Sequence, residues 1–201
     1  VGDRIASFRR LGARVVAVEP QPGPAKLLRF LYGRCPDVSV VQAAVGGTEG
    51  RALLHVNVRN PTVSSASAAF VHAADGAPGW EGQQWEHGID VAQTTLDALI
   101  ARFGSPAFTK IDVEGFEAEV LRGLGEPLRA LSFEVTTIQR DVAHAALAEL
   151  RRLGPYRFNA ALGESQHLLH ARWLDADAIA AWLDALPYEA NSGDIYAVPA
   201  Q

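Results

Sequence analysis

The chain has 201 residues, 48% hydrophobic and 20% charged, with a net charge of −5. That is enough for one domain with a sizeable core, and the negative balance excludes bulk attraction to nucleic acid or to an anionic membrane. There is no run of about 18 apolar residues to span a bilayer, no secretory signal pattern and only one cysteine, Cys35, so a cytoplasmic location without disulfides is expected.

The chain opens at Val1-Gly2-Asp3 and holds no methionine, so an N-terminal piece is expected to precede it. Ile5, Phe8 and Leu11 recur at helical spacing, and Gly12 ends that helix. A strand over Ala13 to Val18 follows and closes in Glu19-Pro20. An acid at such a strand end is the usual partner of ribose hydroxyls, because one carboxylate accepts from two adjacent OH groups; the alternative is a solvated loop acid. Pro22 to Leu31 predicts a helix with Leu27, Leu28 and Leu31 inward, and Val38 to Ala43 a β-branched strand. Ala43-Ala44-Val45-Gly46-Gly47 closes that strand with small residues, which either let a flat ring approach the backbone or simply form a turn. Arg51 to Val58 alternates as a further strand.

Asn60 to Gly88 is rich in Ser, Ala and Gly, lacks sustained periodicity, and carries His72, Trp80, Trp85 and His87. Its length points to a lid, a binding loop or disorder, with the two tryptophans against pure disorder, and the alternative is a fixed wall whose tryptophans fill the outer core. Short helical turns are expected around Ser67 to Ala74. Val91 begins a return strand, and a helix follows over Thr95 to Ile100 with Thr94 or Thr95 as cap.

The stretch with the most chemistry is Lys110-Ile111-Asp112-Val113-Glu114-Gly115-Phe116-Glu117. Phe108 to Val113 reads as a buried strand, Gly115 as a sharp turn, and Phe116 to Leu124 as a helix. If the strand stays extended through Glu114, then Lys110, Asp112 and Glu114 share one face. Such a face is costly unless its charges are paired or bind something, so the reading is either a structural ion pair or a site rim. Leu131 to Val135 is another buried strand, with Glu134 near its end. Asp141 is expected to cap a helix with Ala145, Leu147, Leu150 and Leu153 inward. Strands over Arg157 to Leu162 and Gln166 to Ala171 come next, then a helix capped by Asp175 with Ile179, Leu183 and Leu186 inward, and a last strand over Ile195 to Val198. Strand–helix alternation argues for one α/β domain over residues 1–201, with a mostly parallel sheet and helices on both faces.

Val18-Glu19-Pro20, Ala43-Ala44-Val45-Gly46, Thr95-Leu96-Asp97, Lys110-Ile111-Asp112-Val113-Glu114-Gly115, Val120-Leu121 and Phe133-Glu134 together resemble the FkbM-type methyltransferases, and the Lys-Ile-Asp-Val-Glu-Gly run is the most specific of them. The resemblance implies a Rossmann-like class I methyltransferase sheet. In it the C-terminal strand, Asp194 to Pro199, is antiparallel, Arg51 to Val58 and Ile89 to Thr94 form an inserted pair, and the first strand lies before Val1. It implies S-adenosyl-L-methionine as cofactor, with its carboxylate near Gly2 and Asp3, its ribose on Glu19 beside Pro20, its adenine between Ala44 and Val45, and its amine and sulfonium near Asp112. It implies a small-molecule or glycan hydroxyl as acceptor. For the general base the candidates are Glu114, then His72, then Glu134; no metal ligands are assigned, and a homodimer is left open. Two other readings stay open: a nicotinamide-dependent oxidoreductase using Glu19 on its ribose, and a methyltransferase-like binding module without catalysis.

Overall fold

The computed structural model describes residues 2–163, 165 and 167–200. The elements in chain order are α1 (Asp3–Arg10), β1 (Val15–Val18), α2 (Pro22–Tyr32), β2 (Val38–Val41), β3 (Ala44–Val45), β4 (Gly50–Val56), α3 (Ala68–Ala74), β5 (His87–Thr94), α4 (Leu96–Phe103), β6 (Thr109–Ile111), α5 (Glu117–Arg122), β7 (Leu131–Thr136), α6 (Arg140–Leu153), β8 (Tyr156–Leu162), α7 (Ala176–Ala185) and β9 (Ser192–Pro199). The caps follow local chemistry: the Thr95 hydroxyl accepts from the Ala98 N–H, and the Asp175 carboxylate from the Ala178 N–H. Asp141 is not a cap as expected; it lies in the first turn of α6, behind Gln139.

The expected single, mostly parallel sheet is corrected. The described strands pair as three groups, the parallel pair β1-β2 and the mixed groups β3-β5-β4 and β6-β7-β9-β8. Parallel pairs are β1 with β2, β3 with β5, and β6 with β7. The reason is in the edges: β1 bonds only to β2 and β6 only to β7, so no described strand joins these groups. The antiparallel C-terminal strand is present, because β9 runs against both β7 and β8. The inserted pair is present too, as β4 against β5. Of the strand expected over Gln166 to Ala171, Gln166 lies outside the described residues and 167–171 form no strand.

The main core gathers on β7, whose Leu131 and Phe133 are fully buried, with Leu121 of α5, Leu147 and Leu150 of α6, and Ile179 and Leu183 of α7. Burying each such side chain contributes about 1.5–3 kcal/mol, so this cluster fixes where the ends of β6 and β7 sit. The α2 expectation holds only for Leu28; Leu27 and Leu31 face solvent with Phe30. Residues 60–88 form neither a structureless loop nor an exposed aromatic cover. Phe70, Ala74 and Trp80 are buried in a cluster of their own with Val63, Ala77, Trp85 and Ile138 against it. Trp80 and Trp85 stand edge-on to Phe70 at 5.1 and 6.1 Å, and the Trp85 indole donates to the Val63 carbonyl at 2.8 Å. The tryptophans fill a core, as in the fixed-wall alternative. Among the described residues no helix is long and apolar enough to cross a membrane.

Candidate functional site

Register assembles the site. Lys110 of β6 lies beside Ser132, and Ile111 beside Phe133; continuing that parallel register by one residue sets Asp112 level with Glu134. The antiparallel register of β7 and β9 sets Asp194 opposite Glu134. Three neighbouring strands thus bring three acids to one level, where like charges repel. Lys110 answers part of that charge: its ammonium donates to Asp194 at 2.7 Å and pairs with Asp112 at 3.2 Å. Burial alone would lower the Lys110 pKa, but the two carboxylates outweigh it and hold it raised.

Beyond β6 the chain does not stay extended. Glu114 has φ +55° and Gly115 φ +83°, so two successive left-handed residues swing the backbone into α5. Gly115 is needed there, since a Cβ would strike the Gln139 amide oxygen and approach Phe70 Cβ to 2.7 Å. Two side chains hold the turn. Glu117 accepts from the Val113 and Gly115 N–H groups at 3.2 and 3.3 Å, and the buried Ser65 hydroxyl donates to the Glu114 carbonyl at 2.5 Å. This turn tucks Glu114 inward, leaving it 8% exposed, and brings its carboxylate to those of Asp112 and Glu134, with oxygens all within 4.8 Å of one another.

The electrostatics follow. Burial first, then the charges of Asp112 and Glu117, push the Glu114 carboxyl well above the usual carboxylate range, with Lys110 opposing. Glu134 is raised in the same way by burial and by Glu114, Asp112 and Glu117. Burial raises Glu117 to about 7 against its two backbone N–H donors. One oxygen each of Glu114 and Glu134, and the Gln139 amide oxygen, are buried without a hydrogen-bond partner. In front of Glu134 opens a small cleft of about 80 Å³, walled by Arg4, Lys110, Asp112, Ser192 and Asp194. Chemically the arrangement can attract a positive group, hold a cation on oxygen ligands, or accept a proton near neutral pH.

Of the residues singled out in the sequence, Asp112, Glu114 and Glu134 meet here. Lys110, Asp112 and Glu134 line the cleft, Glu114 lies buried behind it, and Glu19, Pro20, Gly2, Asp3, Ala44, Val45 and His72 do not line it. His72 is exposed in the last turn of α3. Glu19 is half-buried and accepts from the Gln21 N–H at 2.8 Å, while Gln21 reaches on to the Pro61 carbonyl; burial raises the Glu19 pKa against that backbone bond. Pro20 is half-buried beside it. Gly2 caps α1 at φ +88° and accepts from the Tyr32 hydroxyl at 3.3 Å, with Asp3 exposed in the first turn. The Ala44 side chain is taken up by a small core with Leu54 and Val91, and Val45 packs on the main core, so both offer backbone rather than side chain to a ligand. Sequence reasoning missed Arg4, Ser65, Glu117 and Asp194. Glu117 was visible as the last acid of the central stretch; the other three reach the site through long-range packing.

An acid cluster at the carboxyl ends of two parallel strands, opening on a cleft, marks the ligand end of an α/β enzyme-type sheet. The sequence profile of the methyltransferase FkbM domain matches residues 2–185, and the chain belongs to that methyltransferase family. No curated protein and no solved structure matches it.

Proposed function

We propose that this methyltransferase takes its methyl group from S-adenosyl-L-methionine and delivers it to a hydroxyl of a small molecule or glycan. The observation that carries the reading is the meeting of the Asp112, Glu114 and Glu134 carboxylates, two of which, Asp112 and Glu134, line the cleft, in a chain of this family. The cofactor would supply an electrophilic methyl on a positive sulfonium. The donor set suits such a group: its ammonium and sulfonium want the acids around Asp112, and Arg4 on the same cleft wall suits its carboxylate, with the N–H groups at Gly2 and Asp3 near the same helix start. Glu19 is assigned to the ribose and the backbone of Ala44 and Val45 to the adenine.

Glu114 is assigned the acceptor's proton. A base works best when its proton affinity lies near the working pH, and burial beside Asp112 and Glu117 moves Glu114 in that direction. Glu117 and Ser65 position it by fixing the turn. Most of the acceleration should come from holding the acceptor oxygen about 3–3.5 Å from the methyl carbon.

Calorimetry with S-adenosylhomocysteine, and separately with NAD, tests the reading. Binding of the first alone is expected, and Glu114→Gln should keep that binding while lowering turnover about 10²–10⁴-fold. Binding of NAD in its place would overturn the assignment.

A further inference from the structure

We propose that Asp112, Glu114 and Glu134 form a site for a hard divalent cation of the Mg²⁺, Mn²⁺ or Ca²⁺ class. The three carboxylates offer oxygens within 4.8 Å of one another. Two oxygens on opposite sides of an ion lie at twice the metal–oxygen distance, about 4.1 Å for Mg²⁺ and about 4.6–5.2 Å for Ca²⁺. Oxygens within 4.8 Å of one another are thus close enough to share one such ion. An all-oxygen ligand set selects these ions over Zn²⁺ or Cu²⁺.

A second observation points to a ligand independently of the clustering. Glu114 is 8% exposed, and one of its carboxylate oxygens is fully buried without a partner. A buried carboxylate oxygen left unpaired is costly, and metal coordination is one of the few ways to satisfy it. Glu134, whose carboxylate belongs to the same cluster, has a second such oxygen. Lys110 is no substitute, because its ammonium is held by Asp112 and Asp194. Asp112 is half-exposed toward the cleft, so an ion would have an open side for water or for an acceptor presenting two adjacent oxygens. The ion's presence stands apart from the methyl-transfer reading, but its use rests on it: the ion would orient the acceptor hydroxyl and make it more acidic, easing its loss of a proton to Glu114.

The test is Mn²⁺ titration of chelator-treated protein, read from the electron-paramagnetic signal of free Mn²⁺, with Mg²⁺ and Ca²⁺ as competitors. One competable Mn²⁺ per chain is expected, weakened about tenfold or more in Asp112→Asn and in Glu134→Gln. Asp177→Asn, an exposed acid on α7, should bind as the parent does. Asp112→Asn changes a half-exposed side chain and keeps the test valid if Glu134→Gln fails to fold. No Mn²⁺ bound at millimolar concentration, or binding that Asp112→Asn leaves unchanged, overturns the site. S-adenosylhomocysteine calorimetry on the same samples separates the two proposals: Mn²⁺ without S-adenosylhomocysteine binding leaves the ion and removes the cofactor assignment, and the reverse removes only the ion.

Discussion

Glu117 gives the sharpest quantitative expectation. It is 3% exposed, its carboxylate accepts from two backbone N–H groups, and burial lifts its pKa from 4.5 to about 7. A carboxyl whose folded pKa is raised contributes stability that is fully present below the unfolded pKa of 4.5 and is lost as pH climbs through about 7. Glu117→Gln keeps an acceptor oxygen for the turn and removes the ionisation. At pH 8 the parent should be less stable than the variant by about 3 kcal/mol, and at pH 5 by less than about 1 kcal/mol, at 1.36 kcal/mol per pKa unit.

Urea unfolding of both proteins in chelating buffer, across that pH range, measures the difference directly. In thermal melts the gap at pH 8 should be on the order of 10 °C for a chain of this size. Glu114 and Glu134 lose stability in the same direction but do so in both proteins, so they cancel unless they sense the Glu117 charge. A parent–variant difference constant from pH 5 to pH 8 would refute the reasoning, because Glu117 would then titrate in the fold as it does in the unfolded chain.

Three further expectations concern neighbouring parts. Ser65→Ala leaves the Glu114 carbonyl and the Ser67 N–H without their side-chain partner and should cost about 1–3 kcal/mol in denaturant unfolding; a cost under 0.5 kcal/mol, taken as roughly the noise level, would show that the 2.5 Å bond does not hold the turn. Gly115→Ala should cost about 1–2 kcal/mol for the left-handed backbone and about 1–3 kcal/mol more for its collision with Gln139 and Phe70, and an unchanged melting temperature counts against the turn geometry. Glu19→Ala should weaken S-adenosylhomocysteine binding by about 1.5–3 kcal/mol in a folded protein, and equal affinity removes Glu19 from the ribose site.

Local elements were legible because their causes are local. The caps at Thr95 and Asp175, the Ile179-Leu183-Leu186 stripe and the buried run of β7 all follow from residue type and period. Sheet membership was not, because it depends on which edges meet, and β1 and β6 share no bonded neighbour among the described residues. Leu27 and Leu31 misled because an apolar stripe marks a face without saying whether anything packs on it. Asp112 and Glu134 were recognisable as strand-end acids, yet their meeting is a matter of register, which neither segment encodes alone. The Glu114 turn was hidden for another reason. A non-glycine residue at φ +55° is held by Ser65, almost fifty positions away in the chain, and local propensity would leave the strand extended.

The same turn explains why residues 60–88 belong to the site without touching the cleft. Phe70 stands against Gly115 and is pinned between Trp80 and Trp85, while Ser65 bonds to Glu114. The aromatic cluster thus sets the depth at which Glu114 is buried, and burial is the largest cause of its raised proton affinity. The opposite wall works against that effect: Lys110, fixed by Asp194 on β9, lowers the proton affinities of Glu114 and Glu134. Five acids, Asp112, Glu114, Glu117, Glu134 and Asp194, share this corner with two bases, Lys110 and Arg4. A fold selected for stability alone would gain by replacing Glu114 and Glu134 with amides, since each ionised acid there is disfavoured by its neighbours. Keeping them as acids makes sense where a positive ligand completes the charge balance. A sulfonium and a divalent ion are both such ligands, and the side chains that tune the corner come from β6, β7, β9 and the aromatic segment rather than from one motif.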